Sequence, residues 1–267
     1  MQRQRDLRGW HAGEYNASST AFRRRVPGPR YDGAGMFWTF VDESQVAGGQ
    51  VTIRGPQGHH LARVLRVRRG ERGVAVAGGR QYELELVEVE GGRVVGRIVG
   101  DRPVQGEART SVALLQAVLP NPDFDAVVEG GTAVGIRRFV AVRAARSVGR
   151  PPAARLTRWQ AIARSAAEQS RRGEVPDVIG PISLPDALEQ VAGTRLVVLE
   201  PTATMPLLDA LDGSLAYAMA VGPEGGWTDD ELSALREHGG VAVNLGPRIL
   251  RARLAPIVAA AILVQQR

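Results

Sequence analysis

Val221-Gly222-Pro223-Glu224-Gly225-Gly226-Trp227-Thr228-Asp229-Asp230-Glu231 runs out of an apolar segment, through a glycine-rich turn, into a helix. The apolar segment, Ala216–Val221, is strand-like in length and composition. Thr228 with Glu231 three residues on makes a capping box and marks the helix start. Glycines in such a turn let the backbone come close to a ligand and offer it N–H donors. An ordinary tight βα turn reads the same way on local physics. A second stretch, Asn244-Leu245-Gly246-Pro247-Arg248-Ile249-Leu250-Arg251, repeats the pattern: it too follows a strand and precedes a helix, Leu254 to Gln265. That last helix is apolar almost all round, so it belongs in a core or against a second subunit.

Working outward, the same grammar extends back to Thr110. Strand-like runs at Val112–Val118, Phe139–Val142, Leu196–Leu199, Ala216–Val221 and Val241–Leu245 alternate with helical stretches such as Leu156–Arg171 and Asp229–Glu237. This alternation predicts an α/β fold with a mostly parallel sheet and crossover helices. Ligands in such sheets bind beyond the carboxyl ends of the strands. Both glycine-containing motifs lie there.

Residues 36–105 read differently. Phe37–Val41, Val51–Ile53, Gly73–Ala77, Tyr82–Leu86 and Val94–Ile98 are short and several alternate apolar with polar residues, with glycine pairs between. They predict a small β-barrel. The polar stretch Asp101–Thr110 reads as a linker, so domains are expected at 36–105 and 106–267. Residues 1–35, with the Arg23-Arg24-Arg25 run and no periodicity, are expected to be a disordered extension, and Met36 is a candidate natural start.

The chain has 267 residues, no cysteine and four histidines without metal-ligand spacing. Disulfides and thiolate sites are excluded, no metal is expected, and a cytoplasmic location is the default. No apolar run is long enough to span a membrane and no secretory signal is recognisable. All 34 basic residues are arginine, so no lysine can act as base or nucleophile. The net charge of +6 lies wholly before residue 106: residues 1–35 hold seven arginines against three acids, residues 36–105 ten against eight, and residues 106–267 equal numbers. A basic front end suits contact with phosphate. Arg63, Arg66, Arg68, Arg69 and Arg72 form its densest cluster, able to track an RNA backbone without reading it. A solvated charged face is the alternative. His238 ends a helix, where a cation complements the dipole. His59 and His60 either contact phosphate or pack.

The two glycine-containing motifs, taken with Arg158-Trp159-Gln160-Ala161-Ile162 leading to Glu168-Gln169-Ser170 and with His59-His60-Leu61-Ala62-Arg63-Val64-Leu65-Arg66-Val67, resemble the SPOUT methyltransferases. More closely, the chain resembles the bacterial 16S rRNA uridine-N3 methyltransferase (RsmE) family over roughly residues 36–267. The resemblance implies a PUA-like RNA-binding barrel followed by a trefoil-knotted α/β domain. It implies a homodimer acting on rRNA in the 30S subunit, with S-adenosyl-L-methionine (SAM) bent in the knot. The cofactor-binding residues would be Leu199, Glu200, Val221, Gly222, Pro223, Gly225, Gly226, Leu245, Gly246, Ile249 and Leu250. For chemistry, Arg251 is the candidate cation, with an interface ion pair as its alternative. Glu168 is a candidate base that reads equally as a knot-stabilising or surface charge, and Glu224 is similarly ambiguous.

The chain departs from the family pattern at several polar positions. The usual LRTETA is Leu250-Arg251-Ala252-Arg253-Leu254-Ala255 here. The lysine expected after Pro120 is Asn121, ELGV is Ala133-Val134-Gly135-Ile136, and a Glu-Arg pair is Ala145-Arg146. Two further readings therefore stand beside the rRNA enzyme. One is a diverged paralogue using SAM on a small molecule of specialised metabolism. The other is a non-catalytic protein that binds SAM or RNA.

Overall fold

The computed structural model describes residues 36–148 and 154–266. The expectation for residues 1–35 lies outside them. Two six-stranded sheets organise the described chain.

The first sheet comprises β1 (Phe37–Phe40), β2 (Val46–Ala47), β3 (Gln50–Ile53), β4 (Arg72–Ala77), β5 (Arg80–Glu90) and β6 (Arg93–Pro103). Their order is β1-β4-β5-β6-β3-β2, antiparallel except for the β1–β4 pair. Alternate residues face one core: Val51 and Ile53, Leu84 and Leu86, with Val94, Phe37 and Leu61. Strand β6 continues through Asp101 to Pro103, so the polar connection starts later than the sequence suggests. Its cross-strand partners explain this: Arg80 pairs Asp101 and Arg102 bonds to Gln81, so polar side chains extend the ladder. A segment without an assignment from the sequence forms the short helix α1 (Gly55–His59) and a wide π-type turn, His60–Leu65. The turn ends at Arg66 in the left-handed region, with φ 54°.

The second sheet is entirely parallel. Its strands are β7 (Ser111–Ala117), β8 (Arg138–Val142), β9 (Asp177–Ile182), β10 (Arg195–Leu199), β11 (Ala216–Val221) and β12 (Val241–Val243), in the order β12-β10-β11-β7-β8-β9. Helices α2 (Asp123–Val134), α3 (Ala154–Gln169), α4 (Leu184–Glu189), α5 (Asp229–Glu237) and α6 (Ala255–Leu263) cover it. Strands buried on both faces should read as continuous apolar runs, and these do. Val112 and Leu114 of β7, with Tyr217, Met219 and Val221 of β11, face the layer of α2, α3 and α6. Leu115, Ala117, Ala218 and Ala220 face the layer of α4 and α5. The mixed α/β class with a parallel sheet is therefore observed. Phe124 of α2 stacks on Trp159 of α3 with ring centroids 4.1 Å apart. The Trp159 indole N–H donates to Asp125 Oδ1 at 3.1 Å, so the bulkiest core side chain also has its polar atom satisfied. Helix α6 packs on α2, β7 and β11 with Ala255, Ala259, Ala260 and Leu263 buried. Ile257, Val258 and Ile262 are half-buried. One face of an apolar helix thus stays partly open to solvent.

Candidate active site

Strands β12, β10 and β11 are neighbours, so the segments leaving their carboxyl ends converge. Leu199–Thr202 follows β10, Val221–Trp227 follows β11 and Val243–Ala252 follows β12, and together they enclose a cavity of about 380 Å³. The size suits a small-molecule cofactor. All the residues expected to hold the cofactor line it, as do Arg251 and Glu224.

Local geometry explains the shape. Gly226 closes a turn on Pro223, its N–H donating to the Pro223 carbonyl at 2.8 Å, and has φ +70° with open space where a Cβ would stand. A side-chain-bearing residue would strain the backbone there. At Gly222 a Cβ would come within 3.2 Å of the Trp227 N. Thr228 and Glu231 form the capping box, ending the loop at a defined point. On the opposite wall Asn244 acts as a backbone pin. Its Nδ2 donates to Ala203 O at 2.8 Å and its Oδ1 accepts from Gly246 N at 2.9 Å, tying the β12 loop to the β10 loop. Walls of Leu199, Val221, Leu245 and Leu250 are apolar, while Glu200 and Glu224 supply carboxylates. Apolar walls, exposed loop backbone and carboxylates fit a nucleoside joined to an amino-acid tail carrying a cation.

Arg248 and Arg251 line the cavity, are exposed, and have no ion-pair partner among the described residues. The next arginine, Arg253, is engaged: its Nη1 meets Asp123 Oδ1 of α2 at 3.0 Å. The family's usual acid at this position is thus replaced by a cation with an acid facing it.

Several residues that shape the site carry no sign of that role in the sequence. Arg146 Nη1 donates to Gly225 O at 2.9 Å and Trp227 O at 3.2 Å, bracing the glycine loop from outside. Beside it, Ala145 N donates to Glu231 Oε1 at 2.7 Å, so the capping glutamate also binds the turn after β8. Arg248 and Asn244 were quoted as motif residues without a role. Trp227, buried in the layer under α4 and α5, anchors the loop's far end. The links from Arg146 and Ala145 to the glycine loop span about eighty residues of sequence, and no local pattern reports that.

Glu168 is elsewhere. It does not line the cavity; its Oε1 accepts from Thr39 Oγ1 at 3.1 Å and Phe40 N at 3.3 Å, both on β1. His238 caps α5 and its Nδ1 lies 2.8 Å from Ala234 O; the His59 ring lies against Gly92. Arg63, Arg66, Arg68, Arg69 and Arg72 are all exposed along the stretch from the wide turn to the start of β4, and none has an acid partner among the described residues. The arginines of β5 and β6 differ. Arg80, Arg93, Arg97 and Arg102 pair with Asp101, Glu88, Glu85 and Glu83. The arginines of this sheet that lack an acid partner among the described residues are therefore Arg54 and the five from Arg63 to Arg72. Among the described residues no group of three or more His, Asp or Glu is placed to hold a metal ion, and no helix is long and apolar enough to cross a membrane.

The RNA methyltransferase domain model matches residues 106–264. Ribosomal RNA small subunit methyltransferase E of Mycobacterium bovis is 37% identical over 233 residues, covering 82% of this chain and 88% of that relative. The Bacillus subtilis protein of the same name is 29% identical over 222 residues, covering 78% and 87%. A crystal structure of ribosomal RNA small subunit methyltransferase E from Neisseria gonorrhoeae, bound to S-adenosyl methionine, matches with a TM-score of 0.77 at 31% identity, covering 85% of this chain and 96% of that one. Sheet order, cavity and family model together define a methyltransferase of the RNA-modifying class. The chain belongs to the ribosomal RNA small subunit methyltransferase E family.

Proposed function

We propose that this protein transfers a methyl group from SAM to N3 of a uridine in the 16S rRNA of the 30S subunit. The observation that carries this reading is the cavity closed by three strand-end loops with an unpaired Arg251 at its rim, in a chain of this family. SAM, when bound, supplies an electrophilic methyl group. The loop backbone of Leu199–Glu200, Val221–Gly226 and Leu245–Leu250 would hold it, and Glu200 or Glu224 would face its amino group or ribose hydroxyls. The protein's main contribution is alignment of donor and acceptor. For N3 of uridine, a proton must leave and negative charge spreads onto the flanking carbonyl oxygens. Arg251 is the cation available to stabilise that charge. Glu200 and Glu224 are the carboxylates in the lining that are available to accept the proton.

The first sheet is read as a PUA-like barrel presenting Arg63, Arg66, Arg68, Arg69 and Arg72 to the RNA backbone. Their lack of acid partners supports this. The second sheet is read as a trefoil-knotted domain. After β12, at the sheet's edge, the chain returns across the ends of β10 and β11 to place α6 over β11 and β7, as threading requires. A homodimer is supported by the half-open apolar face of α6 and by Ile249, 84% exposed beside the cavity. The domains are assigned to residues 36–105 and 106–267, and the location to the cytoplasm.

The test is calorimetry with SAM, paired with tritiated methyl transfer to 30S subunits lacking the native uridine-N3 methyl group. Micromolar SAM binding with label in 16S rRNA is the expected result. SAM binding without rRNA label would send the reading to a small-molecule substrate.

A further inference from the structure

Helix α3 grips the first sheet with two side chains one turn apart. Glu168 Oε1 accepts from both Thr39 Oγ1 and Phe40 N of β1. Arg164 donates to Phe40 O, and its guanidinium carbon stands 5.8 Å from the centre of the Phe40 ring. Arg164 also reaches α1: with the Gln57 amide oxygen turned toward it, Nε and Nη2 donate at 2.6 and 2.7 Å. Arg164 and Glu168 themselves form an i,i+4 pair at 3.7 Å. Helix α1 continues without a break into the wide turn that carries Arg63 and Arg66. The clamp therefore holds, by its two ends, the strand that opens the first sheet and the helix that leads into its unpaired arginines.

Resting on the rRNA reading above, we propose that Arg164 and Glu168 are positioning residues that fix the arginine-bearing turn relative to the methyl-donor cavity. Glu168 accepts two hydrogen bonds as a fixed acceptor and takes no part in proton transfer. Its carboxylate is engaged by β1 and lies outside the cavity lining. Around the clamp, Phe40, Val74, Val76 and Ala167 pack together, and the Trp38 indole donates to Arg172 O at 3.0 Å. These contacts keep the first sheet attached when the clamp is opened, so its loss loosens orientation rather than detaching the sheet. The two binding surfaces stay intact on either side of the clamp. The defect should therefore fall on turnover, since small misplacement of reacting groups costs rate steeply.

The experiment compares wild type with Glu168→Ala, Glu168→Gln and the isosteric Thr39→Val. For each, SAM affinity, 30S affinity, turnover on 30S and melting temperature are measured. For Glu168→Ala the proposal expects both affinities within about threefold of wild type and turnover down by about tenfold or more. Thr39→Val should show a smaller loss of the same kind. Glu168→Gln, which keeps the acceptor oxygen, should restore turnover to within about threefold. Glutamine failing like alanine would make Glu168 a base and overturn the proposal, as would loss of both affinities together or undiminished turnover in Glu168→Ala. A second readout does not need the RNA substrate. The chain has no cysteine, so spin labels at Ser44→Cys and Glu237→Cys report the distance between the two sheets. That distribution should broaden in Glu168→Ala and stay narrow in Glu168→Gln. Should wild type leave 30S unlabelled while the broadening appears, the rRNA reading falls and the clamp stands. Absence of broadening removes the clamp itself.

Discussion

Arg251 lines the cavity, and Arg146 braces one of its loops. Arg251 is exposed with no ion-pair partner among the described residues, and in the proposed reaction it would meet the charge that develops during methyl transfer. Arg251→Ala should lower turnover on 30S by about 10²–10³ while leaving SAM affinity nearly unchanged, which single-turnover labelling and calorimetry would show together. Arg146 touches only backbone carbonyls of the glycine loop. Arg146→Ala removes two charge-assisted hydrogen bonds that shape the loop, so SAM affinity should weaken by about tenfold. Its melting temperature should scarcely move, because the side chain is exposed. Equal loss of affinity in both variants would mean that Arg251 serves the cofactor rather than the acceptor base. The sequence marks Arg251 through its motif, whereas the hold of Arg146 on the glycine loop emerges only once β8 and β11 are placed two strands apart on one sheet.

Arg172 organises several elements at once. It is 5% exposed and reaches Glu107 in the connection after β6, the Thr132 and Ile136 carbonyls at the end of α2, and Glu174. Burial pushes the Glu107 carboxyl up. Hydrogen bonding and charge from Arg172, the Gly173 N–H and the charge of Arg137 outweigh this and hold its pKa below the ordinary 4.5. A carboxyl lowered in this way stabilises the fold at neutral pH, and the contribution is lost as the pH falls below 4.5 through the folded-state value. Arg172→Ala should cost about 3–5 kcal/mol by urea unfolding, since it strips the half-buried Glu107 carboxylate of its main ion-pair partner and two buried carbonyls of a donor. Glu107→Gln should flatten the acid limb of the stability curve; an unchanged acid limb would show that the pair contributes nothing. The connection between the wide turn and β4 makes a separate prediction. Replacing Arg68 and Arg69 with alanine should reduce the salt slope of 30S binding by about one to two, as expected for two lost phosphate contacts. Val64 and Leu65, 65% and 51% exposed on the wide turn just before it, give the control: their substitution by serine should leave that slope alone.

Across the whole molecule, the legible features were those set by local periodicity. Apolar strands alternating with helices announce the parallel sheet, and glycine-rich turns after β11 and β12 mark the cavity because strand ends and backbone exposure are local properties. Glu168 shows the opposite case. Its neighbours in sequence suggest a motif, but its role depends on Thr39 and Phe40, about 130 residues away. The Arg253–Asp123 pair is hidden for the same reason, and it supplies a physical partner for a charge that looks reversed in the sequence alone. The wide turn at His60–Leu65 left no periodic signature because six residues are too few to establish one.

The central claim is the atom that receives the methyl group. After wild-type protein has labelled 30S subunits with tritiated SAM, the 16S rRNA is digested to nucleosides and resolved by mass-detected chromatography. The account predicts label in 3-methyluridine, accumulating about 10²–10³-fold more slowly when Arg251→Ala replaces wild type. Label in a ribose-methylated or other base-methylated nucleoside, or none in the rRNA at all, would contradict it.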